Sequence, residues 1–334
     1  MHAARNIFTD RLFSTLRATA QAAESIAPVC PLCHSAASSH AFLDAGCELR
    51  VCNNCELFFV HPYPRVLEQH RRVTSGEYPG IELLDSARRY QGERLYYDRH
   101  FDLIAQETRD AKSILDVGCG TGNLLERFAS RSNCYRLGIE LNPVAAQLAR
   151  STAKCEILEL PFESFRTARK FDAITMVSVF SHVSSFDGMF GSLHNALAPG
   201  GRVIMRTTEM ALHVSRWNQV HWGIPDDLHF LGLNTLSYLC KQYGFSVTRH
   251  VRVPFEQELF QPSRWKQVGR NRWHNALKRT AVRVPGALAG MQKLYAATLG
   301  QRLFVSLIVL KTSSGENSTG HAQPAAALHE KERC

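Results

Sequence analysis

No apolar run in the sequence reaches the roughly 18 residues that a membrane-spanning helix needs, although 45% of the 334 residues are hydrophobic. The amino-terminal stretch also lacks the apolar core of a secretory signal peptide and carries Arg5, Arg11 and Arg17 with few acids. That composition has some likeness to a transit peptide, but a polar helical lead-in over residues 1–27 is the better interpretation. We therefore expect a soluble or peripheral protein of the cytoplasm.

Acidic residues are missing between Gln261 and Leu310, where nine basic residues occur. They are Arg264, Lys266, Arg270, Arg272, Lys278, Arg279, Arg283, Lys293 and Arg302. Such a segment suits an anionic partner, which would be phosphate, carboxylate, nucleic acid or a lipid headgroup. A solvated surface is the alternative interpretation.

Disulfide bonds are not expected, even though the chain contains ten cysteines. No export signal is present, and four of the cysteines form two C-x-x-C pairs, a pattern that favours a metal in a reducing compartment. The four are Cys30, Cys33, Cys52 and Cys55. Eighteen residues separate the pairs, which is a spacing typical of a tetrahedral Zn²⁺ site made of two knuckles. We predict a structural zinc on these thiolates, with Cys47 left over and His34 as an alternative ligand.

Short apolar runs alternate with helical patterns from residue 111 onward. The predicted strands are Ser113–Val117, Tyr135–Glu140, Lys154–Leu158, Phe171–Val177, Arg202–Thr207, Phe245–Val253 and Leu303–Lys311. Alternation of this kind predicts an α/β fold with a parallel sheet covered by helices on both faces. We place a zinc-binding region at 28–64, a helical cover at 65–110, the α/β domain at 111–311 with a basic insertion at 254–302, and a disordered tail at 312–334.

The stretch ILDVGCGTG, Ile114–Gly122, is a buried strand followed by a glycine turn. Its spacing is neither the G-x-G-x-x-G of a dinucleotide site nor a P-loop, because no Lys-Ser or Lys-Thr follows. Asp116 ends this strand and Glu140 ends the next one, where a carboxylate can accept both hydroxyls of a ribose. These residues predict a ligand that has a ribose and an amino group but no phosphate.

Five motifs together resemble the class I S-adenosylmethionine-dependent methyltransferases. They are ILDVGCGTG, LGIELNP, LPFESF, FDAITMVSVFSHV and LAPGGRVIMRT, in the family's order over about residues 112–250. The resemblance implies a seven-stranded Rossmann-like sheet whose last strand runs antiparallel. It also implies S-adenosylmethionine as the cofactor.

The resemblance places the cofactor on residues from the first three strands. Gly118, Gly120 and Gly122 would flank its methionine part beside Cys119. Asp116 would orient the cofactor, and Glu140, next to Leu141, would hold the ribose. Glu156 is the candidate for the adenine, with Glu159 as its rival. After the fourth strand the family often has Glu-His-Val, which here is Ser181, His182 and Val183, so the histidine matches and the serine departs.

The cysteine region resembles the zinc ribbon that precedes this domain in one subgroup of these methyltransferases, followed by a tyrosine-rich helical cover. Loop 207–232 and the insertion 254–302 both start at the carboxyl edge of the sheet, so we expect them to line the acceptor pocket. His229 is the first candidate for a general base and His182 the second, ahead of His213 and His221.

The predicted function is methyl transfer to a small molecule, a sugar or a glycolipid, with oxygen favoured as the acceptor atom and an anionic acceptor suited to the basic insertion. RNA methylation that uses the ribbon and the basic insertion together is the main alternative. A non-catalytic cofactor-binding scaffold is a further one. Sugar C-methylation ranks below O-methylation, because enzymes of that kind typically carry a further carboxyl-terminal domain.

Overall fold

The computed structural model describes residues 27–44, 47–63, 70, 71, 73, 74, 101–130, 134–210, 227–254, 280–299 and 303–313. Several predictions lie outside these residues: the lead-in before residue 27, most of the helical cover, His213, His221, most of the basic insertion and the tail beyond residue 313. Among the helices of the described segments, none combines the length and the hydropathy that a membrane crossing requires.

The strands form two sheets. In chain order they are β1 (Ser38–Asp44), β2 (Cys47–Cys52), β3 (Phe58–His61), β4 (Ser113–Val117), β5 (Tyr135–Ile139), β6 (Glu156–Leu158), β7 (Phe171–Val177), β8 (Leu197–Met210), β9 (His229–Phe230), β10 (Phe245–Pro254) and β11 (Leu303–Thr312). The main sheet has seven strands in the order β6-β5-β4-β7-β8-β11-β10, and the small sheet has four in the order β1-β2-β3-β9.

The main sheet confirms the predicted fold class. Strands β4 to β8 pair in parallel, whereas β11 runs antiparallel to both of its neighbours, β8 and β10. Helices follow the strands as α1 (Asn123–Arg127), α2 (Pro143–Ala153), α3 (Phe186–Ala196), α4 (Thr235–Tyr243) and α5 (Ala287–Leu299). The strand order reverses direction at β4, and ligands of open α/β sheets bind beyond the carboxyl ends of the strands at such a point.

Local sequence signals fix the helix boundaries around that point. The side chain of Asn142 caps α2 by accepting hydrogen bonds from the backbone N–H groups of Val144 and Ala145, and Pro143 occupies the first turn, where its missing N–H is not needed. Lys154 ends the helix in a left-handed conformation. Ser185 caps α3 in the same way through the N–H of Gly188. These caps fix where the loops after β5 and β7 end and the helices α2 and α3 begin.

The small sheet packs on one face of the main sheet and shares its core. Cys30, Cys52, Cys55 and Leu57 belong to the same buried apolar cluster as Leu115 of β4, and α3 contributes to it as well. β9 is distant in sequence from the other strands of the small sheet, since it follows β8. It joins that sheet by pairing with β3. The cysteine region and the α/β domain are therefore linked by shared core and by strand pairing.

Candidate functional site

Three glycines shape the loop after β4, and each has a different reason for lacking a side chain. Gly118, Gly120 and Gly122 all have positive φ, at 63°, 54° and 82°. A Cβ on Gly118 would collide with the side chain of Val179, and one on Gly122 would lie 3.0 Å from the backbone of Ala149 in α2. A Cβ on Gly120 would meet nothing within 4 Å. Only Gly120 therefore faces open space, into which a ligand would fit against the backbone.

This glycine loop, residues 118–122, forms one wall of a pocket at the carboxyl edge of the sheet. Asp116, Cys119 and Val177 also line the pocket, and Phe101 and Ile104 close it from the helical segment 101–107. The end of the predicted cover thus contributes apolar side chains to the same space as the glycine loop.

The carboxylate of Glu140 holds the glycine loop in place. Oε2 accepts a hydrogen bond of 2.8 Å from the N–H of Gly120, and Oε1 accepts one of 2.8 Å from the N–H of Asn142. Burial raises the pKa of Glu140, and this effect is opposed by those backbone N–H groups and by the nearby His182. Each oxygen keeps lone pairs beyond its backbone partner, so the carboxylate can still accept hydroxyl groups.

Asp116 is buried at the end of β4 and bonded to the neighbouring strand. Its Oδ1 accepts a hydrogen bond of 2.6 Å from the hydroxyl of Thr175 on β7. Burial raises the pKa of Asp116 to about 7, the Thr175 hydroxyl counteracts this in part, and the charge of Glu140 adds to it. A carboxyl of this kind gains from a cationic ligand group, because a positive charge restores its ionised form.

The other predicted cofactor residues lie at different places. Cys119 is buried within the glycine loop, and Leu141 follows Glu140 with its side chain half-buried. Glu156 is the first residue of β6, at the end away from the glycine loop, and its Oε2 accepts a hydrogen bond from the Tyr135 hydroxyl. Glu159 pairs with Arg150 at 2.6 Å. The structure thus has Cys119 in the loop and Leu141 next to Glu140, and it does not bring Glu156 to the loop, so the adenine role of Glu156 stays a prediction.

Two contacts from the helical cover, which the sequence did not indicate, reach this edge of the sheet. The side-chain amide of Asn142 donates to the backbone oxygen of Val73 at 3.0 Å. His70 Nε2 lies 3.7 Å from the carboxylate of Glu163, which also accepts from the N–H of Ser184. Val73 and His70 therefore contact the loops that follow β5 and β6, and Glu163 in turn connects to the loop after β7. No local pattern in the sequence predicts such long-range pairs.

The two predicted catalytic histidines have opposite surroundings. His182 is partly exposed, with Nε2 at 3.6 Å from Oδ1 of Asp227. His229 is fully buried, its ring packs edge-on against Phe180, and its Nδ1 lies 3.1 Å from the hydroxyl of Tyr63. Burial lowers the pKa of His229 to about 3. His182 is thus partly exposed and lies near Glu140, whereas His229 lies inside the core.

The four predicted metal ligands come together in the ribbon, which we define as residues 28–64. Cys30 Sγ lies 3.6 Å from Cys55 Sγ, Cys33 Sγ lies 3.4 Å from Cys52 Sγ, and all four sulfurs lie within 4.8 Å of one another. A tetrahedral zinc with Zn–S bonds of about 2.3 Å would place its sulfurs about 3.8 Å apart. This cysteine cluster therefore fits Zn²⁺ in geometry and in ligand type.

An open sheet with a glycine loop and an acidic residue at the ends of neighbouring strands defines a nucleotide-cofactor-binding α/β domain. Residues 88–250 match the profile of a family described as a methyltransferase domain. The matched part of the chain is a methyltransferase domain, and it is similar to the class I S-adenosylmethionine-dependent methyltransferases. The pocket can accommodate such a cofactor, since Gly120 leaves open space against the backbone and the Asp116 carboxyl lines the same cavity. The Glu140 carboxylate bonds to the N–H of Gly120 in the loop that forms its wall.

Curated relatives are similar over part of the chain. A ubiquinone biosynthesis O-methyltransferase of Neisseria meningitidis is 27% identical over 169 residues, which is 46% of this chain and 68% of the relative. A 24-methylenesterol C-methyltransferase of Arabidopsis thaliana is 27% identical over 33% of this chain and 32% of its own length. The crystal structure of geranyl diphosphate C-methyltransferase from Streptomyces coelicolor covers 64% of this chain and 77% of that chain, with 13% identity and a TM-score of 0.46.

Proposed function

We propose that this protein transfers a methyl group from S-adenosylmethionine to an oxygen atom of a small molecule, a sugar or a glycolipid. The observation that carries the proposal is the pair of His182 and Asp227, which lies beside Glu140 at the carboxyl edge of the sheet. S-adenosylmethionine supplies, when bound, an electrophilic methyl group on a sulfonium. The protein must then hold the acceptor and remove its proton.

His182 rather than His229 is the base in this proposal. The Asp227 carboxylate lies 3.6 Å from Nε2 of His182, so it stabilises the imidazolium that forms when the histidine takes the proton of the acceptor hydroxyl. His229 is enclosed by Phe180, Phe186 and Tyr63, and its low pKa makes it a poor acceptor of protons near neutral pH. Replacement of His182 by Gln should lower turnover by about 100-fold with the cofactor affinity unchanged.

Two features support a hydrophobic acceptor. One relative named above belongs to ubiquinone biosynthesis and another to sterol methylation, so related domains serve lipid pathways. Within the described part of the basic insertion, α5 exposes apolar side chains, among them Leu294 at 66% and Met291 at 37%. The relatives differ in the acceptor atom, and the proposal of oxygen rests on the histidine–carboxylate pair.

The test is to incubate the full chain with methyl-labelled S-adenosylmethionine and extracts of its source cell. The extract is separated into polar small molecules, lipids and RNA, and label is measured by mass spectrometry, with Glu140→Ala as the blank. Label in the small-molecule or lipid fraction supports the proposal, and the product mass identifies the acceptor. Label confined to RNA would replace it with the alternative that uses the basic insertion. Cofactor binding without any label in the three fractions would favour a scaffold.

A further inference from the structure

The ribbon reaches the proposed catalytic pair through one short stretch of chain. This return segment, residues 227–235, follows β8 in sequence and includes Asp227, β9 and the first residue of α4. Its contacts with the ribbon include Cys55, the last cysteine of the cysteine cluster, and the residue that follows it. That residue, Glu56, has a left-handed backbone with φ of 59°.

Glu56 and the knuckle next to it hold the carboxyl end of the return segment. The Glu56 carboxylate accepts hydrogen bonds from the backbone N–H of Asn234 at 3.0 Å and from its side-chain amide at 2.8 Å. The hydroxyl of Thr235 donates to the backbone oxygen of Cys55 at 2.9 Å and accepts from the N–H of Gly232. A Cβ on Gly232 would collide with the backbone oxygen of Glu56. One metal ligand therefore contacts this segment directly through its carbonyl.

Pairing between β3 and β9 extends the contact between the ribbon and the return segment toward the proposed catalytic pair, His182 and Asp227. Phe58 and Phe59 of β3 pair with Phe230 and His229 of β9, and the N–H of Val60 donates to the oxygen of Leu228 at 2.9 Å. The N–H of Leu228 does not bond to β3 but to the loop that follows β7.

That N–H of Leu228 donates to the backbone oxygen of Ser181 at 2.7 Å. Ser181 precedes His182 in the chain, and Leu228 follows Asp227. The bond between Leu228 and Ser181 thus fixes the spacing of the two side chains that face each other, His182 and Asp227.

We infer that the cysteine cluster is a positioning device for the return segment, and that Glu56 is the positioning residue that transmits it. The inference rests on the proposed function, because the pair being positioned is the one proposed to move the acceptor proton. A zinc ion on the four thiolates would fix the backbone of Cys55 and Glu56 and, through them, the segment that carries Asp227. The return segment also contacts β8, where the N–H of Met210 donates to the oxygen of Leu231. Two elements, the ribbon and β8, therefore hold the segment, and loss of the ribbon contacts measures how much of its order depends on the ribbon.

The test is hydrogen–deuterium exchange on the full chain, which needs no acceptor and so is independent of the proposed function. In Glu56→Ala, backbone amides of residues 228–234 should exchange about tenfold faster, because two hydrogen bonds are lost. Removal of zinc with a chelator should have the same effect, with residues 171–177 of β7 unchanged. Glu56→Gln keeps one acceptor oxygen and should restore part of the protection. Glu48→Gln is the matched control, since Glu48 bonds only within the described ribbon, to His40 and Arg50.

The ring signals of His182 in ¹³C-histidine NMR give a readout that ribbon stability alone would not move. They should shift in Glu56→Ala and in Gly232→Ala, and remain at their wild-type positions in Glu48→Gln. Unchanged exchange at 228–234 after both Glu56→Ala and zinc removal would overturn the inference, because β8 would then suffice to hold the segment. Equal acceleration of exchange in residues 171–177 would overturn it too, since that result means global destabilisation.

Discussion

The carboxylate of Glu140 at the end of β5 accepts a hydrogen bond of 2.8 Å from the backbone N–H of Gly120 in the neighbouring loop. The Glu140 side chain therefore fixes the conformation of the glycine loop and also supplies the acidic group beside it. Because Gly120 faces open space, the loop that Glu140 holds is also the surface on which a cofactor would lie. Loss of this carboxylate should affect the cofactor site far more than the stability of the sheet.

Glu140→Gln should raise the dissociation constant of S-adenosylmethionine by about 10- to 100-fold, since a hydrogen bond to a charged group contributes about 1.5–3 kcal/mol. Isothermal titration calorimetry measures this directly. Glu156→Gln is the comparison, and we expect no change there because Glu156 lies at the far end of β6 and bonds to Tyr135. A loss of affinity in Glu156→Gln equal to that in Glu140→Gln would support the adenine role that the sequence predicts for Glu156.

Gly120→Ala should separate cofactor binding from folding. The left-handed φ at residue 120 costs an alanine about 1 kcal/mol, and the added methyl group enters space that the cofactor needs, so affinity should fall by much more than stability. Gly200→Ala is a matched control, because Gly200 also has positive φ and open surroundings but lies in the turn at the start of β8. Gly118→Ala should mainly reduce the melting temperature, since its Cβ would collide with Val179. Equal affinities of the Gly120 and Gly200 variants for S-adenosylmethionine would contradict the prediction that the cofactor lies against Gly120.

Binding of S-adenosylmethionine should strengthen as pH rises toward 7. The raised pKa of Asp116, about 7 in place of 3.8, means that its proton must leave before the carboxylate can meet a cationic ligand. The affinity measured between pH 5.5 and 7 should therefore increase with pH, and Asp116→Asn should abolish that slope. In Thr175→Val the midpoint should move to higher pH, because the Thr175 hydroxyl opposes the effect of burial.

The same carboxyl has the opposite effect on the stability of the free protein. Because its pKa is higher in the folded state, the folded chain binds more protons between about pH 3.8 and 7, so stability declines as pH rises through that window. Asp116→Asn should then melt at a higher temperature than the wild type at pH 8 while binding the cofactor less well. A lower melting temperature at that pH would show that ionisation of Asp116 does not destabilise the free protein.

The main sheet could be predicted because its strands are encoded locally. Phe171–Val177 was predicted with the bounds that the structure gives to β7, and Ser113–Val117 with those of β4. The strand predicted at Arg202–Thr207 is longer in the structure, Leu197–Met210, because its carboxyl end pairs with β11 and contacts the return segment. Apolar runs and glycine turns carry such information within a few residues, so the fold class followed from them.

The contacts that assemble the site are long-range and could not be predicted. β9 is only two residues long, His229 and Phe230, and only its pairing with β3 makes it a strand. No local pattern in the sequence could show that Glu156 begins its short strand rather than ends it. The burial of His229 has the same origin, since Phe180, Phe186 and Tyr63 enclose it from distant parts of the chain.

Purified protein should contain about one zinc ion per chain, bound by the cysteine cluster. Cys33→Ser should lower the zinc content measured by atomic absorption and also the melting temperature, because three thiolates hold zinc less tightly than four. Cys47→Ser is the matched control: Cys47 is buried on β2 but packs in a separate apolar cluster with Leu49 and Phe58. Full zinc content in Cys33→Ser together with loss in Cys47→Ser would show that the ligand set differs from the predicted one.

Glu209 should make the protein sensitive to acid. It is buried on β8 and bonded to Arg252, His250 and Ser306, and these partners outweigh the effect of burial and lower its pKa from 4.5 to about 2. The unfolded chain then binds more protons than the folded chain between about pH 4.5 and 2, so the contribution of Glu209 is complete above pH 4.5 and disappears as pH falls toward 2.

Glu209→Gln should therefore lower the free energy of unfolding by about 2 kcal/mol at pH 7, measured by urea denaturation, and the difference from the wild type should shrink as the pH is lowered to 3. Glu159→Gln provides the comparison, because Glu159 forms a half-exposed pair with Arg150 that should contribute at most about 0.5 kcal/mol. A difference between Glu209→Gln and the wild type that stays constant from pH 7 to 3 would mean that packing of the side chain, rather than its charge, stabilises this end of the sheet.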